Sequence, residues 1–225
     1  MKYLIINIYD YIFKKIFMPG IDRFLSKSLE TVIKKNVDQK IEYKMKRLMF
    51  EKYGISIRQS IENIDKLIDV RKDLLGELDN SSLKKYLKKI CSVKKSKDDK
   101  LYEITILDEF LKKSILEKLG DDESRRIILA TVGRAQTNSE VLEYNKISTT
   151  SGYRKINVLI RDGFLIKSKS KLIETRRSVE QYVTFCDKIL FEIKKNHLIL
   201  IVIVNKKLMQ SSSLFHLLYD SKKSN

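Results

Sequence analysis

Apolar residues recur at every fourth position through the first long helical segment of the sequence. These residues are Ile21, Leu25, Leu29, Ile33, Val37, Ile41, Met45 and Met49. An α-helix has 3.6 residues per turn, so each step of four advances by about 40° and eight such positions cannot share one straight face. The pattern predicts a stripe that winds around one helix, or a helix that breaks in the polar segment 34–40. No sustained heptad is present, which favours packing within the chain over a helical dimerisation element.

The remainder of the first half also has mostly helical spacing. Segments 55–78, 79–93 and 108–120 carry apolar residues at steps of three and four, and residues 101–107 alternate as expected for one short strand. We therefore predict a helical module over residues 1–120, with a domain boundary after Gly120. Its role is open among sensing, dimerisation and partner contact.

A sharper pattern begins at Thr137. Thr137 and Glu140 form a T-x-x-E capping box, in which each side chain binds a backbone amide at the start of a short helix. Val141 and Leu142 are the inward residues of this helix. Asn145 follows them and is suited to the left-handed conformation of a tight turn between helices.

A second helix is predicted from Ser148 to Arg161. Ile156, Leu159 and Ile160 stand at i, i+3 and i+4 and predict its buried face. Its opposite face is left to Thr150, Ser151, Arg154 and Val158, with Lys155 beside it. Two short helices across a three-residue turn form a helix-turn-helix, whose second helix can enter a DNA major groove.

A basic hairpin is predicted after Gly163. Segments 164–166 and 179–185 are typical of strands, and the residues between them are polar and basic. Residues 146–177 include nine basic and two acidic side chains, so positive charge is concentrated beside the helix-turn-helix. The hairpin has the pattern of a wing, with phosphate or minor-groove contacts expected from Lys167, Lys169, Lys171, Arg176 and Arg177.

The composition of the whole chain favours a polyanionic partner. Its 225 residues include 46 Lys or Arg against 29 Asp or Glu, a formal net charge of +17. We find no Gly-rich phosphate loop, HExxH or GxSxG motif, and only two histidines, so an enzyme is not expected. Cys91 and Cys186 stand far apart and suggest buried free thiols of a reducing cytoplasm, with no disulfide, zinc site or cofactor.

The stretch TNSEVLEYNKISTTSGYRKINVLIRDGFLI, residues 137–166, resembles the core of archaeal winged-helix transcription regulators of the ArsR-like group. In that group a helix cap, a short helix, an IS-T start of the recognition helix, a YR pair and a GFLI start of the wing occur in this order. The similarity extends over about residues 121–205. By this resemblance, the recognition-helix contacts would be Thr149, Thr150, Ser151, Tyr153, Arg154 and Lys155. Metal-sensing members carry clustered Cys or His ligands, which this sequence lacks, so no metal is expected.

These observations predict a cytoplasmic, mainly α protein with a small β component. A helical N-terminal module, residues 1–120, would precede a C-terminal winged helix-turn-helix domain, residues 121–225, that binds double-stranded DNA and regulates transcription. A buried strand over residues 198–204 and a final helix from about Ser211 complete the second domain. If that strand were an exposed edge, it would offer one route to a homodimer.

Two alternatives stay open. The first is a protein-interaction adaptor that uses the winged-helix fold without DNA binding. The second is a peripheral membrane protein held by residues 1–17, which are apolar but interrupted by Asp10, Lys14 and Lys15 and shorter than the roughly 20 apolar residues of a membrane span. We favour a helix that docks on the rest of the protein for this segment.

Overall fold

The computed structural model describes residues 20–76, 81–97, 100–172 and 178–219. The predicted N-terminal docking helix, residues 1–17, lies outside the described residues. The helices are α1 (Gly20–Asn36), α2 (Gln39–Tyr53), α3 (Ile57–Ile61), α4 (Ile64–Leu75), α5 (Ser81–Ile90), α6 (Glu109–Gly120), α7 (Asp122–Thr131), α8 (Asn138–Tyr144), α9 (Thr149–Arg161), α10 (Lys206–Gln210) and α11 (Ser213–Tyr219). The strands are β1 (Cys91–Lys95), β2 (Leu101–Ile106), β3 (Gln136–Thr137), β4 (Leu165–Leu172), β5 (Ser178–Thr184), β6 (Lys188–Lys194) and β7 (His197–Asn205).

The described chain is mainly helical with a smaller antiparallel component, as the sequence predicts. Among the described helices, none combines the length and the apolar content that a bilayer crossing requires.

The apolar stripe of the first segment is divided between two helices. α1 ends at Asn36, and Asp38 begins α2 by accepting a hydrogen bond from the Lys40 amide. The break therefore falls inside segment 34–40, which is the second of the two arrangements that the sequence allows. Because the chain changes direction there, α1 buries its apolar residues from Ile21 to Ile33, whereas α2 buries only Met45 and Met49.

A four-stranded antiparallel sheet, the first sheet, joins the two halves of the chain. Its strand order is β1-β2-β7-β6, and β2 pairs with β7 from Leu101 opposite Asn205 to Ile106 opposite Leu200. β1 is absent from the sequence prediction, which extended a helix over Cys91–Val93. The residues of β1 become a strand because β2 lies opposite them, a tertiary contact that local spacing does not report.

The predicted boundary after Gly120 does not coincide with a break in the core. Phe24 of α1 packs against Phe164 and Phe185, with ring centroids 5.5 and 4.3 Å away respectively. β7 is a central strand of the first sheet and depends on β2 from the first half for its hydrogen bonds. The two halves therefore share one core, and the edge position considered for residues 198–204 is taken by β6 instead.

A second sheet supports helices α7, α8 and α9. Its strand order is β3-β5-β4, and β4 and β5 form the antiparallel hairpin that the sequence predicts after Gly163. α7, α8 and α9 pack on one another and on this sheet. Buried hydroxyls link the layers, because Thr184 of β5 hydrogen bonds to Thr131 at 2.8 Å and to the Ile128 carbonyl at 3.0 Å.

The buried carboxylate of Asp22 holds the C-terminal helix against α1. Asp22 accepts hydrogen bonds from the Ser212 hydroxyl, the Ser213 amide at 2.9 Å and the Leu214 amide at 3.4 Å. It therefore caps the start of α11 from a position 190 residues earlier in the chain. Burial raises the pKa of the Asp22 carboxyl to about 7, against the lowering effect of these hydrogen bonds.

We expect Asp22→Asn to change how stability depends on pH. The folded protein retains a proton on Asp22 that the unfolded chain, with an ordinary pKa of 3.8, has lost, so this group lowers the stability as pH rises from about 4 to about 7. The free energy of unfolding falls by at most about 4 kcal/mol over this range. It does not change further above the pKa of Asp22 in the folded protein. Urea unfolding of both proteins between pH 4 and 8 measures it. Parallel stability curves for the two proteins would contradict the assignment.

Candidate nucleic-acid interface

The turn between α8 and α9 is built from local hydrogen bonds. Thr137 and Glu140 form the predicted capping box at the start of α8, with the Glu140 amide 3.2 Å from the Thr137 hydroxyl. Asn145, with φ of −91° and ψ of 2°, does not take the left-handed conformation that the sequence suggested for it, and Lys146, with φ of 50°, takes it instead. The Asn145 side chain donates back to the Val141 carbonyl at 2.7 Å, one turn earlier in the chain.

Close contact between α8 and α9 depends on a glycine that the sequence patterns do not single out. A β-carbon at Gly152 would lie 2.2 Å from Cδ2 of Leu142 and 3.1 Å from Cγ2 of Ile147. Ile147 is buried beneath this crossing, and its amide donates to the Leu142 carbonyl at 3.0 Å. The absence of a side chain at Gly152 therefore lets the two helices approach, which fixes the orientation of α9.

The first two turns of α9 present an exposed face. Gly152, Ile156 and Leu159 are buried beneath the helix. Four of the predicted contact residues are exposed: Thr149, Thr150, Tyr153 and Arg154. The Arg154 guanidinium makes no hydrogen bond or ion pair with any described residue, so it is available to an external acceptor.

Ser151 and Lys155, also predicted as contacts, bind acidic residues of the same protein. The Ser151 hydroxyl donates to Glu123 at 2.9 Å, and the Lys155 ammonium donates to Asp121. Asp121 also caps α7 through the Ser124 amide at 2.9 Å. The hydrogen bond from Lys155, followed by those from Ser124, holds the pKa of Asp121 well below its usual range. Ser151 and Lys155 are therefore half-buried, and they hold α9 against the start of α7.

The β4–β5 hairpin carries part of the predicted basic surface. The Lys167 ammonium donates to Glu180, which also accepts from the Tyr182 hydroxyl at 2.6 Å. The Lys167 hydrogen bond first, and then that of Tyr182, lower the pKa of Glu180, so the positive charge of Lys167 is offset locally. Among the other predicted wing contacts, the side chains of Lys169 and Lys171 and the whole of Arg176 and Arg177 lie outside the described residues.

A polar cluster at the end of α9 is not apparent from the sequence. Arg58 of α3 donates to the Arg161 carbonyl at 3.1 Å, and Lys118 of α6 lies 3.3 Å from the Asp162 carboxylate. Asp162 stands beside Arg161, and a cleft of about 430 Å³ opens next to them, lined also by Lys27 and Lys113. Since the partners are 44 or more positions apart in the chain, no local spacing could have indicated this cluster. It fixes the C-terminal end of α9 to the helical half.

The two thiols are structural. Cys91 and Cys186 are buried, and burial raises the pKa of each thiol to about 12. A thiol of this kind is a poor nucleophile and a poor metal ligand at neutral pH. In the described part of the chain, no three His, Cys, Asp or Glu side chains come together as a metal site.

No protein-family model, curated protein or solved structure matches this chain significantly. The geometry of α9 and the β4–β5 hairpin therefore stands alone as the basis for a functional proposal.

Proposed function

We propose that the protein is a DNA-binding transcription regulator in which α7, α8, α9 and the β4–β5 hairpin act as a winged helix-turn-helix. The observation that carries the proposal is the exposed face of α9, where Arg154 lacks a partner among the described residues and stands beside two threonine hydroxyls. Small side chains at the start of a helix allow close approach to DNA, and an arginine fork binds guanine or phosphate.

In the proposed complex, α9 enters the major groove by its N-terminal half. Arg154 contributes base preference, and Thr149 and Thr150 contact base edges or thymine methyl groups. Lys155 and Ser151 act indirectly, because their bonds to Asp121 and Glu123 orient the helix. The basic hairpin lies along the phosphates, and the net charge of +17 contributes favourable long-range attraction.

A second candidate function is an adaptor that docks on another protein. Leu129 at 65% exposure and Tyr144 at 79% leave apolar surface on α7 and α8, beside the helix turn. Large exposed aromatic and aliphatic side chains are typical of protein-binding surfaces.

We expect full-length protein to bind a labelled random-sequence duplex with a steep salt dependence, and Arg154→Glu to bind it at least about tenfold more weakly, because a carboxylate would replace a cation that faces phosphate or base. Fluorescence anisotropy over a salt series measures both. On a selected specific site, Arg154→Ala should cost about 1–3 kcal/mol if Arg154 reads a base, whereas an equal loss on all sequences would mark a phosphate contact.

Lys94→Glu is the matched control, because it makes the same charge change on exposed strand β1 at the edge of the other sheet. It should reduce affinity much less than Arg154→Glu. Equal losses from both variants would indicate attraction by net charge alone. Absence of binding at low salt would contradict DNA binding and favour the adaptor.

A further inference from the structure

The first sheet has two edge strands of opposite character. β1 exposes Ser92 and Lys94 at one edge. β6, at the other edge, exposes large apolar side chains: Leu190 at 37%, Phe191 at 45% and Ile193 at 81%. Lysines discourage pairing at a sheet edge, whereas apolar side chains favour it, and the lysines of β6, Lys188 and Lys194, stand only at the two ends of the strand. In the described part of the chain, β6 has β7 on one side and no strand on the other.

The backbone of β6 offers hydrogen-bonding groups at alternate residues. A two-residue turn closes the β6–β7 hairpin between Lys194 and His197, which makes that pair and every second pair from it hydrogen-bonded. Leu190 and Glu192 therefore direct their backbone groups at β7. The groups of Ile189, Phe191 and Ile193 point away from the sheet, where a further strand could receive them.

We propose that β6 pairs antiparallel with β6 of a second copy of this chain, about a twofold axis at Leu190. The two four-stranded sheets would then form one continuous sheet of eight strands. A twofold axis perpendicular to the sheet must pass midway between the two copies of one residue. Opposite side chains then point to the same face, so both copies keep their buried faces on the same side of the joined sheet. The proposal does not rest on DNA binding.

Charge complementarity favours this register over those with the axis at Phe191 or Glu192. With Leu190 on the axis, Lys188 of each copy lies directly opposite Glu192 of the other. This makes two cross-strand pairs of opposite charge, in addition to the ion pair of Glu192 with Lys194 of its own chain at 2.7 Å. An axis at Phe191 would instead place Lys188 opposite Lys194, and an axis at Glu192 would place the two Glu192 side chains opposite each other. Both of these registers bring like charges together, which is destabilising. An axis at Ile193 would also set Glu192 opposite Lys194, but it would overlap only residues 192–194 of the two strands.

The same register covers Leu190 and Phe191, whereas Ile193 would lie opposite Asp187 of the other copy. Ile189 of one copy lies opposite Phe191 of the other, on the face of the sheet that packs on the core. The two Leu190 side chains meet on the other face, next to Ile201 of β7 in each copy, since Leu190 pairs with Ile201. Ile201 is itself only half-buried, so the dimer would extend one apolar stripe across the axis.

Charge reversal and its repair test the proposal. We expect wild type to be dimeric, and Lys188→Glu and Glu192→Lys each to raise the dimer dissociation constant by roughly tenfold or more, since each creates two like-charge pairs. The double variant Lys188→Glu, Glu192→Lys should restore the wild-type constant. Sedimentation equilibrium at about 0.05 M salt, where screening is weak, measures all four proteins.

Net charge alone predicts a different result. Lys188→Glu lowers the positive charge of the chain and would strengthen self-association, whereas Glu192→Lys would weaken it. The proposed register predicts that both weaken it. Lys94→Glu, on the opposite edge strand, is the control and should leave the dimer intact. A monomeric wild type, or opposite effects of the two single variants, would overturn the proposal.

A disulfide tests the position of the axis. At a non-hydrogen-bonded antiparallel pair the α-carbons are about 4.5 Å apart, within the range that a disulfide spans, so Leu190→Cys should give a covalent dimer on mild oxidation. Glu192→Cys is the control, because its two copies would be about 13 Å apart along the strands. The native thiols are buried and should not contribute. Cross-linking of Glu192→Cys but not of Leu190→Cys would exclude this register.

Discussion

A fragment of residues 121–225 is expected not to fold on its own. In the full chain, buried residues of the second half pack against the first half. They are Phe164, Phe185, Leu200, Val202, Val204 and Phe215. Their partners include Phe24 and strand β2, and the ring of Phe215 lies 5.1 Å from that of Tyr102. Exposing these side chains costs on the order of 10 kcal/mol, which is comparable to the whole stability of a typical domain.

Amide proton dispersion and urea unfolding of the fragment measure this expectation, with the full-length chain as the reference. The fragment should show poorly dispersed amide signals and no cooperative transition. A cooperative transition with dispersed signals would mean that residues 121–225 form an independent domain, as the sequence pattern predicts. DNA binding should accordingly be measured on the full chain.

The sequence predicted local elements well and long-range partners poorly. The cap at Thr137 and the helices that follow it depend on neighbours within a few residues, so spacing and cap chemistry indicate them. The strands of the β4–β5 hairpin pair residues 6 to 19 positions apart, and their alternating pattern indicates them. The position of β7 depends on β2, about 100 residues away, and no local feature of either strand indicates which strand it pairs with. The boundary predicted after Gly120 rests on the residues that end a helix there, and such residues mark the end of a helix as readily as the end of a domain.

The candidate site shows the same division. Helical periodicity placed Thr150 and Arg154 on the outer face of α9, the resemblance added Thr149, and all three side chains are exposed. Periodicity also placed Ser151 and Lys155 at that surface, but it could not foresee Asp121 and Glu123, which lie on another helix or at its cap. A basic residue in a helix pattern is therefore a candidate contact only after acidic neighbours in space have been considered.

Gly163→Ala is expected to be among the most destabilising single substitutions in the chain, by about 3 kcal/mol or more. Gly163 ends α9 with φ of 79°, and its amide and that of Phe164 donate to the Ile160 and Leu159 carbonyls at 3.1 and 2.8 Å. This is a Schellman motif, which requires the left-handed conformation. A β-carbon would also lie 2.4 Å from the backbone nitrogen of Phe24, and backbone of a buried helix cannot move aside cheaply.

Gly133→Ala separates the cost of a positive φ from the cost of the steric clash with α1. Gly133 also has a positive φ, 65°, but nothing lies within 4 Å of its β-carbon position. It should therefore cost only the conformational term of about 1 kcal/mol. Urea midpoints of the two variants and wild type give the difference, which measures the close approach between the end of α9 and α1. Equal losses would mean that this approach relaxes freely, and α1 would then not determine where α9 ends.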